Sequence, residues 1–274
     1  MDKPYLFNLI KERIEIFFVL MKEGYRLRDK IIIFAYHLKA PVHLFNYLTG
    51  KKNSRKLLGN VFIKNDNGLF FCGKNFSSVF GAISTCEPEV RNEFLIKEGV
   101  ALDIGANLGM FTIPLARKLG SNGKVISIEA ERNNVRLLKE NVRLNELNNV
   151  IVIGKGVYSK KGEMELNIDE HGTGGHSIQK TKVSQFCKKE VIEVDTIDNI
   201  LKNLKIKRVD IIKIDIEGGE SDAFKGAEKT LEKYHPKIIF EALDGEEKNK
   251  IGAILSEYGY KVRKIGEWNY VADI

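Results

Sequence analysis

Hydrophobic and polar positions along this chain repeat with two periods, and an element ends where one period gives way to the other. Short apolar runs at 100–104 (interrupted by Asp103), 124–129, 150–153, 209–215 and 237–241 have the continuity of strands buried on two faces. Between them apolar residues return every three or four positions, over 110–119, 133–147, from 220 to about 233, and over 248–258. That spacing predicts helices. Tyr260–Ile265 and Trp268–Ala272, joined through Gly266-Glu267, read as a closing antiparallel hairpin. Strand and helix in alternation predict an α/β fold, a mostly parallel sheet with helices on both faces.

Upstream of this repeat the pattern changes. Residues 5–48 mix apolar runs (Tyr5-Leu6-Phe7, Ile16 to Met21, Ile31 to Phe34) with charges, and two or three amphipathic helices are expected. The runs are too short and too interrupted by Lys and Glu to span a bilayer. Val61–Ile63 and Leu69–Cys72 flank Asn67-Gly68, a hairpin signal. Glu87-Pro88-Glu89 opens a helix expected to reach about Lys97, since proline suits a first turn. Residues 159–190 are polar and rich in Gly and Lys, with a strand-like piece at 164–168 and the cluster His171-Gly172-Thr173-Gly174-Gly175-His176. An insert of this length reads as a lid or a surface hairpin. The expected division is a helical extension over 1–58 and an α/β domain over 59–274. Within the latter, 59–98 supply the hairpin and lead-in helix, and 99–274 the core sheet.

Charge sharpens that division. Residues 1–58 carry twelve Lys/Arg against five Asp/Glu, which accounts for the whole net charge of +7 and leaves the remainder balanced. A nucleic-acid binder would spread its bases over the working face, so nucleic acid is not expected as a partner. A basic helical extension suits packing on the core, pairing with a second copy in a homodimer, or peripheral attachment to an anionic membrane. At 43% hydrophobic and 30% charged, the 274 residues describe a soluble globular chain able to bury one large core. Cys72, Cys86 and Cys187 are odd in number and far apart, neither a disulfide framework nor a zinc pattern, so a reducing cytoplasm is the expected setting.

The candidate chemistry begins at Asp103-Ile104-Gly105-Ala106-Asn107-Leu108-Gly109, a glycine turn between strand and helix. A dinucleotide fingerprint needs G-x-G-x-x-G, to bring amides close to a pyrophosphate. Here the spacing is Gly105-x-Asn107-x-Gly109, and a carboxylate, Asp103, precedes it where a phosphate would be repelled. A positively charged donor such as S-adenosylmethionine would be favoured there. Glu129, closing the next strand roughly 20 residues on, stands where an acid takes ribose hydroxyls. Capping of the helix near Asn133 is its other reading.

These segments resemble the FkbM family of S-adenosylmethionine-dependent methyltransferases. The resemblance rests on 102–112, Val125-Ile126-Ser127-Ile128-Glu129-Ala130, 141–145, Val194-Asp195-Thr196-Ile197-Asp198 and Asp210 to Glu220 with its Lys213-x-Asp215-x-Glu217-Gly218 core. It covers about residues 88–243. Ala130-Glu131 stands where the family often has proline, which alters the turn and keeps the acid. The resemblance implies a class I methyltransferase sheet of seven strands, Rossmann-like, and methyl transfer to a hydroxyl of a sugar, glycan or secondary metabolite. It implies S-adenosylmethionine at Asp103, Gly105, Ala106, Asn107, Gly109, Thr112 and Glu129, with Gly156 and Val157 near the adenine.

For the transfer itself, Asp215 and Glu217 are expected to face the methyl group and the acceptor, one of them as base. Lys213, on the same side of its strand as Asp215 by alternation, would hold an acid charged. His176 is the alternative base. A divalent ion between Asp215 and Glu241 or Asp244 is conceivable with oxygen ligands, but no metal is assigned. Rival functions fit less well. An RNA methyltransferase acting on base amines would show Asn/Asp-Pro-Pro-aromatic where Asp215-Ile216-Glu217-Gly218 stands. A non-catalytic binding module at a membrane would have little use for intact Asp103 and Glu129.

Overall fold

Along the central strands successive side chains enter different layers, as the pleat requires. Ala101, Val125, Ile211, Ile239 and Val271 pack with Val90, Phe94, Phe111, Leu115 and Leu119 on one face. Leu102, Ile104, Ile126, Ile128, Ile212, Ile214, Ile238 and Phe240 meet Ile197, Leu201, Phe224, Leu231, Ile251 and Leu255 on the other. Burial on two faces is the reason these runs read as continuously apolar.

A computed structural model describes residues 3–39, 41–43, 46, 49, 56–168, 176–178, 188–242 and 244–274, with side chains from residue 11 onward. The chain divides into two compact units, Met1–Cys86 and Glu87–Ile274. The division expected from sequence lay at 58/59; the hairpin that follows it belongs instead with the N-terminal helices.

The first unit holds α1 (Lys3–Glu23), α2 (Leu27–His37), an antiparallel hairpin of β1 (Lys56–Asn65) and β2 (Gly68–Asn75), and α3 (Phe76–Ala82). Glu23, buried, ties its parts together by accepting from Asn65 Nδ2 at 2.7 Å and from the Ser84 amide at 3.0 Å. Asn75 caps α3 through the Ser77 amide.

The second unit is built on a seven-stranded sheet. In chain order its elements are α4 (Pro88–Asn92), β3 (Gly99–Ile104), α5 (Thr112–Leu119), β4 (Gly123–Glu129), α6 (Arg132–Leu144), β5 (Val150–Gly154), β6 (Gly156–Val157), β7 (Gly162–Ile168) and β8 (Lys188–Asp195). Then follow α7 (Ile197–Asn203), β9 (Ile211–Ile214), α8 (Glu220–Lys225), α9 (Glu228–Tyr234), β10 (Lys237–Glu241), α10 (Gly245–Ser256), β11 (Lys261–Lys264) and β12 (Asn269–Asp273). The strand order is β11-β12-β10-β9-β3-β4-β5, with β12 antiparallel between β10 and β11 and the central pairings parallel. This is the seven-stranded order that the resemblance implies, and the closing hairpin sits as its last pair. β6, β8 and β7 form a second, three-stranded sheet.

Three elements differ from the sequence expectation. The helix opened by Pro88 stops at Asn92, because Glu93 turns to bridge Lys237 and Arg263 while Phe94 enters the core. The helix expected to run to 233 is two, divided at Gly226-Ala227. A Cβ at Gly226 would lie 2.5 Å from the Tyr158 carbonyl oxygen, so only glycine fits where the first helix ends. The long polar insert runs at its end into a full strand, β8, whose Ile192 and Val194 close a small cluster with Leu166 and Ile168. His171 to Gly175 and Cys187 lie outside the described residues.

Candidate active site

Strand register brings a polar row together inside an otherwise apolar sheet. Asp103 of β3 is level with Ser127 of β4 and with Lys213 of β9, so the three side chains emerge side by side. All are buried. Thr112, at the start of α5, is buried above them; its Oγ1 donates to Asp103 Oδ2 at 2.5 Å and lies 2.8 Å from Ser127 Oγ. Asp103 Oδ1 has no hydrogen-bond partner among the described residues. Burial pushes the Asp103 carboxyl above its ordinary range, while the Lys213 charge and the Thr112 hydroxyl pull the other way. Asp103 and Thr112, expected to face the cofactor, bond each other through Asp103 Oδ2, which leaves Oδ1 open.

Lys213 is the cation of this row. Its Nζ donates to Asp215 Oδ2 at 3.1 Å and lies 4.6 Å from the centre of the Phe111 ring. Burial alone would lower its pKa, but the charges of Asp215, Asp103 and Glu87 outweigh burial and hold it protonated. It cannot act as a base. Its ammonium stands beside Asp215, the same-side placement that alternation along the strand suggested.

At the carboxyl edge the turn after β3 takes its shape from one close contact. Gly105 has φ +76°, and a Cβ there would lie 1.7 Å from the Asp215 carbonyl oxygen. Any side chain would push the β3 and β9 turns apart. Ala106 is buried, and its amide and that of Gly105 both donate to the Ile128 carbonyl. Asn107 is left-handed at φ +51°, a conformation asparagine tolerates. Gly109, φ +99°, opens the helical turn by bonding back to Ala106.

Glu129 faces that turn across the end of β4. Its Oε2 accepts the Asn107 amide at 2.7 Å and its Oε1 the Glu131 amide at 2.9 Å. Each carboxylate oxygen keeps a second lone pair, which is what two adjacent ribose hydroxyls require. Burial raises Glu129 to about 7, against the two amide hydrogen bonds that favour its charged form. Capping of α6 falls to Glu131, which accepts from the Asn133 and Asn134 amides, so Glu129 is released from that duty. Gly156 and Val157 form β6, paired with Val194 and Asp195. Val157 is buried in the core, and a Cβ on Gly156 would press on Ile192 and Val194 at 2.9 Å.

A second group of acids gathers from the ends of two strands. Asp215, Glu217 and Glu241 each place a carboxylate oxygen within 4.8 Å of the other two, a spacing at which oxygen ligands could share one hard cation. Glu217 is left-handed at φ +57° and is followed by Gly218 at φ +99°. Burial, and after it the charges of Asp215 and Glu217, push Glu241 well above the usual carboxylate range. Glu87, left-handed at φ +45°, is raised by burial too and senses the charges of Lys213 and Asp215. Asp244, just past the end of β10, is spent capping α10 through the Glu247 amide at 2.8 Å. Glu220 bonds the Ile216 amide at 2.7 Å and so braces the turn that carries Glu217.

The insert reaches this turn. Ser177 exchanges backbone hydrogen bonds with Asn167 of β7, and its Oγ donates to the Glu217 carbonyl at 2.7 Å. His176 is therefore the neighbour of a residue anchored on the Glu217 turn. Ser177 and Glu87 do not stand out in the sequence as site residues, and Glu241 stands out there only as a cation ligand. Glu241 carried a signal, an acid at a strand's carboxyl end; Ser177 carried none.

The Methyltransferase FkbM domain profile matches residues 103–262, more than half of the chain. Methyltransferase sdnD of Sordaria araneosa is 21% identical over 197 residues, which is 61% of this chain and 76% of that protein. A probable cobalt-precorrin-6B C(15)-methyltransferase (decarboxylating) of Sulfurisphaera tokodaii is 32% identical over 74 residues, 27% of this chain and 38% of that one. Among solved structures, Methyltransferase FkbM from Methylobacillus flagellatus KT aligns at TM-score 0.48 and 15% identity. That alignment spans 96% of this chain and 59% of its own. The chain belongs to the FkbM methyltransferase family, with S-adenosylmethionine as its cofactor.

Proposed function

We propose that this methyltransferase acts on oxygen, placing the methyl group on a hydroxyl of a sugar, glycan or secondary metabolite. The observation that carries the reading is the set of Asp215, Glu217 and Glu241 carboxylates, mutually within 4.8 Å at the sheet's carboxyl edge. A neutral alcohol is a poor nucleophile. It needs its proton drawn off as it attacks, and a placed base contributes about 10²–10⁴-fold.

S-adenosylmethionine, when bound, supplies a methyl group made electrophilic by its sulfonium. The chain's own residues do the rest. Glu129 accepts the ribose hydroxyls, and the Gly105–Gly109 turn leaves room for close approach of backbone. Lys213 donates to Asp215, and Asp215 accepts a hydrogen bond from the acceptor hydroxyl and aims it. Glu217 receives the proton; His176, next to the anchored Ser177, is the alternative. Holding donor and acceptor in line supplies much of the rate, since well-oriented reactants gain ~7–11 kcal/mol. Several acids gathered at one sheet edge favour a polyhydroxylated acceptor, which offers each of them a donor.

The test joins product and protein. Cell extract is incubated with the enzyme and methyl-labelled S-adenosylmethionine, and the labelled product is identified by mass spectrometry and NMR. A methyl ether is expected, and label on carbon or nitrogen overturns the reading. Asp215→Asn and Glu217→Gln should lower kcat by about 10²-fold or more with donor affinity, read by calorimetry, nearly unchanged. Full turnover in both variants would remove these acids from the chemistry.

A further inference from the structure

The apolar surface of the first unit is arranged, not scattered. At 100° per residue, Leu27, Ile31, Phe34 and Leu38 of α2 and its C-terminal end fall within an arc of about 60°, and all four are exposed, Leu27 at 75% and Leu38 at 66%. The opposite face of the same helix is already satisfied. Ile32, Ile33 and Tyr36 are buried there, with the Tyr36 ring stacked on Phe76 at 4.2 Å. The outward stripe therefore contributes nothing to the core of its own unit. It continues onto α1, because Phe17 contacts Phe18 (65% exposed) at 5.6 Å and Phe34 at 6.3 Å between ring centres. Ile14, one turn before Phe18, is exposed as well.

Bases border this stripe. On α2 the same helical count places Lys30 on one flank and Arg28 and Lys39 on the other, and on α1 Lys11 and Lys22 lie beside Ile14 and Phe18. Glu12 and Glu15 offset part of the charge, Glu15 lying 3.9 Å from Lys11, yet the segment 1–58 keeps a surplus of seven positive charges. No helix among the described residues is long and apolar enough to cross a membrane. A broad apolar strip rimmed by Lys and Arg is the composition of a helix pair that lies in a bilayer's interface. A second copy docked on the same face about a two-fold axis would oppose one basic rim to another.

We propose that the outward face of α1 and α2 docks on an anionic lipid surface, with Phe18, Leu27, Ile31, Phe34 and Leu38 entering the acyl boundary. The Lys and Arg rim meets the headgroups. The methyltransferase unit is thereby held beside a membrane, where lipid-linked or membrane-enclosed acceptors are concentrated.

Flotation of the full chain with phosphatidylcholine vesicles, with and without phosphatidylserine, tests this. Binding is expected only where phosphatidylserine is present and should weaken as salt rises. Phe34→Glu with Leu38→Glu should lower the bound fraction at least about tenfold. Lys22→Glu with Lys39→Glu should lower it by roughly fivefold or more per charge. Unchanged donor affinity and far-UV circular dichroism show that each variant is folded, and the milder pair Phe34→Ser with Leu38→Ser replaces the first if it is not. Absence of binding, equal binding to neutral vesicles, or binding indifferent to these substitutions overturns the proposal. So does a chain that sediments as a dimer and becomes monomeric in Phe34→Glu, which would give the face to a second copy.

Discussion

The two units spend the same kinds of residue in opposite directions. In the methyltransferase unit apolar side chains are absorbed on both faces of the sheet, and several charged ones (Asp103, Lys213, Glu129, Glu220) lie inside, matched to one another or to backbone amides. In the first unit most charges stand outside, and a stripe of large apolar side chains stands outside with them. A buried charge is costly unless paired, and an exposed apolar stripe is idle unless covered. Each unit therefore violates one rule of a simple globule. The proposed chemistry sits at the first violation, the polar row and acids of the sheet, and the proposed lipid docking at the second, the outer face of α1 and α2.

The two units should differ sharply in their tolerance of small changes. Gly105→Ala puts a methyl group 1.7 Å from a carbonyl oxygen at a positive φ, and should cost more than about 4 kcal/mol or prevent folding. Urea denaturation of the second unit measures it. A near-neutral result would mean that the crevice turns are not locked together as described. Removing one aromatic ring from each unit sharpens the contrast. Phe240, buried and facing Phe224 at 6.4 Å, should lose about 3–5 kcal/mol on replacement by alanine. Phe34→Ala should change stability by less than about 0.5 kcal/mol. Equal losses would show that the outer stripe is part of a core.

A smaller effect concerns pH. Glu129 stands at about 7 in the folded chain, above its ordinary value, because burial disfavours the charge. Only the carboxylate is acceptor-only, since protonation turns one oxygen into an O–H donor, so donor affinity should be full above pH 7 and fall by up to tenfold per unit below it. Glu129→Gln should bind more weakly and without that slope, measured by calorimetry from pH 6 to 8. The sign for stability is opposite. The folded form holds this proton between the ordinary carboxylate range and pH 7, so Glu129 lowers stability as pH rises through that window.

Much of this was legible in one dimension. β3, β4, β9 and β10 show as nearly continuous apolar runs because burial on two faces leaves few polar positions to break them. The pairing of Lys213 with Asp215 follows from strand alternation. β8 carried a readable signal too, since Ile192 and Val194 alternate with Glu193, but the surrounding Lys-rich insert masked it. Helix lengths were less legible. Pro88 announces a start, yet the stop at Asn92 depends on Lys237 and Arg263, far away in sequence.

The sequence by itself determined the layered sheet, the glycine turn, the strand-end acids and the uneven charge. All of these follow from local periodicity and local backbone preference. Only the tertiary structure decided which acids share a pocket and which serve elsewhere. Asp103 turned inward to Thr112, Glu131 relieved Glu129 of capping, Asp244 went to a helix end, and Glu241 joined Asp215 and Glu217. Those choices rest on strand register and on contacts between residues remote in the chain, which no local pattern encodes.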